Sequence, residues 1–84
     1  MKYSVFILRR AQKELGGLSL EVYPRVLDAI RNLAHDTRPP GVRKLIGREG
    51  WRLRVGDYRV IYEVDDENRR VTVLHIGHRR DVYD

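Results

Sequence analysis

Cysteine is absent, and with it any disulfide scaffold and any zinc site built on thiolates. Packing and hydrogen bonds alone must hold the fold. No apolar run approaches the ~18 residues of a membrane helix. The apolar stretch near the N-terminus is too short for a secretory signal, so the cytoplasm is the expected location. Metal-ligand spacing, a Gly-rich phosphate loop, a serine nucleophile motif and a nucleotide fingerprint are all missing, so no cofactor and no metal are expected. Proline is scarce, at three residues, and two of them stand together at Pro39-Pro40. Lysine is scarcer than it looks: of 17 basic residues only Lys2, Lys13 and Lys44 are lysines, and the rest are arginines.

What is present is an 84-residue chain with 42% hydrophobic and 35% charged residues, enough apolar content for one modest core and too much for disorder. Residues 1–84 therefore read as one domain. The net charge is +5 and the isoelectric point about 10.0. An arginine-rich excess points to an anionic partner, although a GC-rich coding sequence gives the same bias.

The hydrophobic period divides the chain at Thr37-Arg38-Pro39-Pro40-Gly41, which cannot continue a helix. Before it, residues 3–7 predict a short strand. Leu8, Ala11, Leu15 and Leu18 predict a first helix, ended by Gly16-Gly17. Ser19 is a candidate N-cap for a second helix carrying the stripe Val22, Val26, Ile30 and Leu33. The short joint predicts an antiparallel helical hairpin, with His35 at its C-terminal end. After the break, residues 43–46, 51–55, 58–64 and 71–77 read as strands. The fold class is α+β: an N-terminal strand and a helical hairpin packed on a mostly antiparallel sheet of about four strands.

Gly56-Asp57 predicts a two-residue hairpin turn with glycine first. That fixes a register in which Val55 faces Tyr58, Arg54 faces Arg59, Leu53 faces Val60 and Arg52 faces Ile61. Period two then puts Arg52, Arg54 and Arg59 on one face. Trp51, Leu53, Val55, Tyr58, Val60 and Tyr62 take the other, which the helices should cover. Arg54 opposite Arg59 is a like-charge pair that destabilises a sheet unless an anion lies between. Such a cluster suits phosphate and the charge that develops in phosphoryl transfer; the alternative is a solvated face with arginines splayed into water or paired with Glu63. The tail adds His78, Arg79, Arg80 and Tyr83, as acid/base, phosphate-binding and stacking groups or as an ordinary polar C-terminus. His75 reads as a plain strand residue, facing away from His78.

The run from Gly50 to Val64, with Val71 to Leu74 and then Ile76-Gly77-His78-Arg79-Arg80-Asp81-Val82-Tyr83, resembles the RelE/ParE superfamily of toxins and is more similar to its RelE branch. The Pro39-Pro40-Gly41-Val42-Arg43-Lys44-Leu45 connector and Ala11-Gln12-Lys13-Glu14-Leu15 fit as well. The resemblance implies a toxin of a type II toxin–antitoxin system: a metal-free endoribonuclease that cuts mRNA in the ribosomal A site by attack of the 2′-hydroxyl on the adjacent phosphate. It implies as partners a cognate antitoxin, the ribosome and mRNA, and no membrane. The free toxin is expected to be monomeric and its antitoxin complex higher order. The basic positions of the family fall on Arg52, Arg54, Arg59 and Arg79, and its tyrosine on Tyr83. Relatives often have lysine where Arg52 and Arg54 stand. Arginine keeps its proton and makes a poor base, so His78 is the expected base. Arg43, Lys44, Arg48 and Arg80 are expected to bind RNA. A ParE-like gyrase inhibitor and an inactive antitoxin-binding module are the competing readings.

Overall fold

The structure, a computed structural model, describes residues 2–80. In chain order the elements are β1 (Ser4–Ile7), α1 (Arg9–Gly16), α2 (Tyr23–Asn32), β2 (Arg43–Lys44), β3 (Trp51–Val55), β4 (Tyr58–Asp65) and β5 (Arg70–His78). The strands form one five-stranded sheet in the order β1-β5-β4-β3-β2. Neighbours from β2 to β5 run antiparallel, while β1 lies parallel to β5 with Ser4 opposite Arg70. The α+β class and the helices against a mostly antiparallel sheet hold, and the N-terminal strand is a full member of that sheet.

The helices bury one face of it. Ala11, Leu15, Val26, Ile30 and Leu33 pack on Leu53, Val60, Tyr62, Val71, Val73 and Ile76. Each large aliphatic side chain fully buried this way contributes about 1.5–3 kcal/mol. Tyr62 is the deepest aromatic, and its hydroxyl donates to the Thr37 carbonyl at 2.7 Å. Burial pushes its ionisation up to about 12.

Several boundaries differ from the sequence reading. Ser19 does not cap α2: the N-cap position is Val22, without a side-chain bond. Instead the Ser19 hydroxyl accepts the Val22 N–H at 3.3 Å, closing a turn that leads into Pro24 near the helix start. The second helix ends at Asn32, so Leu33, Ala34 and His35 continue as turns beyond it. The strand expected over residues 43–46 keeps only Arg43 and Lys44. Leu45 instead turns inward, its N–H donating to the Gly50 carbonyl at 3.0 Å. Gly50 sits at φ +115°, and a Cβ there would stand 3.0 Å from the Tyr62 carbonyl oxygen, so only glycine fits.

The connector is clasped to the β4–β5 turn. Arg38 forms a salt bridge to Asp66 at 2.9 Å, and the Tyr3 hydroxyl donates to the same carboxylate. The Arg38 hydrogen bond, reinforced by Tyr3, holds the Asp66 carboxyl below the usual carboxylate range. One irregularity breaks the β4–β5 ladder. Tyr62 pairs with Val73 but Ile61 pairs with His75, leaving Leu74 as an extra residue on β5. Glu14 of α1 accepts the Ile76 N–H at 2.9 Å beside this bulge. His75 Nδ1 lies 2.7 Å from the other Glu14 oxygen.

Candidate functional site

The β3–β4 register is the one that the Gly56-Asp57 turn dictates: Val55 opposite Tyr58, Arg54 opposite Arg59, Leu53 opposite Val60 and Arg52 opposite Ile61. Gly56 takes φ +59°, the left-handed value that the first turn position demands. Arg52, Arg54 and Arg59 therefore share the face that the helices leave uncovered. On the other side of β3, Arg43 stands opposite Arg52. Two like-charge pairs, Arg43 with Arg52 and Arg54 with Arg59, thus lie side by side across three strands. Each opposes sheet formation by a few tenths of a kcal/mol to ~1 kcal/mol.

Between them lies a cleft of about 610 Å³, lined by these four arginines with Pro40, Gly41, Leu53 and Gly56. Among the described residues no carboxylate contributes to its lining. The prolyl connector supplies one wall and the hairpin turn closes one end. Arg54 Nε donates to the Gly56 carbonyl at 3.1 Å, which fixes that guanidinium at the turn. Arg52 and Arg59 are half-buried, whereas Arg43 and Arg54 are exposed. Preorganised guanidinium groups on rigid strands are suited to bidentate capture of phosphate oxygens.

The remaining expected site residues lie elsewhere. The Arg79 N–H donates to the Asp57 carbonyl at 2.7 Å, and its Nε stands 4.0 Å from the Asp57 carboxylate, so Arg79 is tied to the turn that closes the cleft. His78 pairs with Tyr58, whose face is the helical one, and the two rings meet edge-on at 5.4 Å. Its Nδ1 accepts the Arg80 N–H at 3.3 Å. The register therefore puts His78 on the face opposite the arginine cleft. Lys44 pairs with Trp51 and also faces the other side, 5.5 Å from the indole ring centroid and 3.8 Å from Glu49. Arg48 and Arg80 are exposed and do not line the cleft. Tyr83 lies outside the described residues. Among the described residues no three His, Cys, Asp or Glu side chains converge as metal ligands.

Two features of this face escape sequence reading. Sequence reading makes Arg43 an RNA contact, but its pairing with Arg52 follows only from the fold. A small apolar cluster of Leu45, Ile61 and Leu74 also shares the face, because the inward turn at Leu45 and the bulge at Leu74 bring both onto Ile61. Neither carries a local sequence signal.

A family model for the ParE toxin of type II toxin–antitoxin systems matches residues 5–83. The chain belongs to this toxin family. It is 34% identical to Toxin RelG of Mycobacterium tuberculosis, covering 99% of this chain and 98% of that one. The RelE–RelB complex from Pyrococcus horikoshii OT3 matches with a TM-score of 0.85 and 32% identity, over 98% of this chain and 100% of the other. The intact E. coli RelBE toxin–antitoxin complex matches with a TM-score of 0.77 and 28% identity, over 90% and 95%. These relatives place the toxin in the RelE branch of the RelE/ParE superfamily. The arginine cleft of this toxin lies on the uncovered face of the shared fold. Among the described residues no helix is long and apolar enough to cross a membrane.

Proposed function

We propose that this toxin is an endoribonuclease that cuts mRNA in the ribosomal A site and so stops translation in the cytoplasm. The observation that carries the reading is the pair of adjacent like-charge arginine pairs around a cleft that no carboxylate lines among the described residues. A sheet that tolerates such repulsion is built for a polyanion. In the reaction the 2′-hydroxyl oxygen attacks the neighbouring phosphorus and the bond to the 5′-oxygen breaks. The products are a cyclic phosphate and a 5′-hydroxyl. One proton leaves the 2′-hydroxyl and one is delivered to the 5′-oxygen. Arg52, Arg54 and Arg59 stabilise the charge that builds on the five-coordinate phosphorus, and Arg79 assists the departing oxygen. Tyr83 stacks on the target base.

Fixed positive charge, and not a general base, is the main source of rate in this reading. The arginines keep their protons, and the Nδ1 lone pair of His78 is engaged by Arg80. The cleavage rate is then expected to keep rising about tenfold per pH unit above the usual histidine range. Loss of cleavage in a folded His78→Gln variant would restore His78 as the base.

Relatives solved as RelE–RelB complexes support a cognate antitoxin for this chain. The net charge of +5 favours an acidic one that folds over the arginine face. The free toxin is then monomeric and the complex larger, which light scattering of each would check.

Primer-extension mapping of an mRNA in a translation reaction tests the activity. Wild-type protein should give cuts within A-site codons, and an Arg59→Ala, Arg79→Ala double variant should not. Intact mRNA with folded wild-type protein overturns the nuclease reading. Inhibition of gyrase supercoiling in its place would establish the ParE-like activity.

A further inference from the structure

The cations of this chain divide by what holds them. Arg10, Arg38, Lys44 and Arg79 each stand within 4.0 Å of a carboxylate. Arg25 on the first turn of α2 has no such partner among the described residues, yet it is not loose. Its guanidinium lies against the β3–β4 turn, with Nη2 at 3.6 Å and Nη1 at 3.9 Å from the point where a Cβ on Gly56 would stand. Gly56 is also the residue whose carbonyl accepts Arg54 Nε at 3.1 Å. Two guanidinium groups from different elements thus converge on one turn residue. Gly56 lines the cleft and Arg25 does not, so Arg25 stands just outside its turn end. The neighbouring carboxylate, Asp57, faces Arg79 instead. The backbone under Arg25 is pinned between Pro24 near the helix start and the fully buried Val26. An exposed arginine held at the turn that also holds Arg54, with no carboxylate within 4.0 Å of it among the described residues, favours an anion beside it. A Cβ at position 56 would meet that guanidinium at ordinary van der Waals distance, so it is the φ of +59° that calls for glycine there, and Arg25 lies in contact range of the turn.

We propose that Arg25 is a second phosphate-binding station: it takes the backbone phosphate of a nucleotide flanking the cut as the RNA leaves the arginine cleft past the β3–β4 turn. This rests on the RNA reading above and extends it from one phosphate to a path. Arg25 touches no reacting atom, and its contribution is to affinity and register along the strand.

The test is binding of an uncleavable 2′-O-methyl oligoribonucleotide, followed by fluorescence anisotropy across a salt series. Each phosphate contact on a single strand contributes about 0.7 to the slope of log affinity against log salt. Arg25→Gln should flatten the wild-type slope by about that amount, and Arg25→Lys, which keeps the charge, should restore it. Arg54→Gln serves as the cleft control and should flatten the slope as well. A slope unchanged in Arg25→Gln but reduced in Arg54→Gln overturns the proposal and leaves the RNA face standing. Absence of salt-dependent binding by wild type overturns both. An unchanged RNA slope with weakened antitoxin binding in Arg25→Gln also overturns it, assigning Arg25 to the protein interface. Superimposable melting curves for wild type and Arg25→Gln establish that the variant is folded.

Discussion

The two faces of one sheet obey different rules, although the same strands build both. Along β3 and β4 alternate residues go to opposite sides. Leu53, Val60 and Tyr62 go under the helices, and Arg52, Arg54 and Arg59 go to the open side. The covered face is nearly all hydrocarbon, with one buried hydroxyl satisfied by a backbone carbonyl. The open face keeps only a small apolar patch of Leu45, Ile61 and Leu74, and spends the rest of its middle on positive charge. Stability and function are thereby separated by parity of sequence position. The separation has a thermodynamic sign: the covered face holds the fold together, and the like-charge pairing across the open face opposes it.

The largest expected effect tests the covered face alone. Ile30→Ala removes a fully buried side chain and should cost about 2–5 kcal/mol in denaturant unfolding. Its cleavage rate per folded molecule should match wild type. A loss of rate in the folded fraction would mean that the two faces are coupled. The converse is Arg54→Thr, which should lower the cleavage rate by roughly 10²-fold. It should also raise stability by a few tenths of a kcal/mol, because it relieves the repulsion with Arg59. A fall in its unfolding midpoint would sink the claim that the open face opposes folding.

A smaller effect belongs to the buried tyrosine hydroxyl under the helices. Tyr62→Phe should cost about 1 kcal/mol near neutral pH, through loss of the bond to the Thr37 carbonyl. Its alkaline behaviour sharpens the point. The folded-state pKa of Tyr62 is raised to about 12, above the unfolded value near ~10. The neutral phenol's contribution is then complete below pH ~10 and is lost as pH rises towards 12. Wild type should weaken through that window by more than the phenylalanine variant does, as thermal melts across pH would show. The smallest effect lies on the surface clasp. Asp66 has a lowered pKa, so its contribution is present above the ordinary aspartate value and fades as pH falls through the folded one. Asp66→Asn should abolish that acid-side loss in urea titrations.

Which parts of this architecture are written locally follows from where their causes lie. The β3–β4 hairpin is legible because Gly56-Asp57 and strict alternation act over neighbouring residues. The helices are legible from the spacing of Ala11 with Leu15 and of Val26 with Ile30. Parallel pairing of β1 with β5 is not, since nothing within residues 4–7 names a partner so far along the chain. The bulge at Leu74 has no glycine or proline to announce it, and it decides which side chains follow on each face. Position 78 illustrates the point. His78 belongs with the arginines when the tail is read as a motif, but its pairing with Tyr58 carries it to the other side. Leu45 likewise continues a strand by composition, yet Gly50 turns the chain back and buries it on Ile61. For the site, the three arginines flanking the turn were readable, whereas Arg43 joined them only through tertiary pairing.

The partnership of β1 with β5 also has a meaning for the order in which the molecule comes into being. Ser4 leaves the ribosome early, and its partner Arg70 is made near the end of synthesis. During translation the first strand has nothing to pair with, and the central β5, which joins it to β4, does not yet exist. Contacts this distant in sequence make folding slow, because the chain must close a large loop before it gains from the pairing. The arginine cleft, whose β4 wall needs β5 beside it, is thus completed late. A chain interrupted before residue 70 has the guanidinium groups of a toxin without the scaffold that aims them.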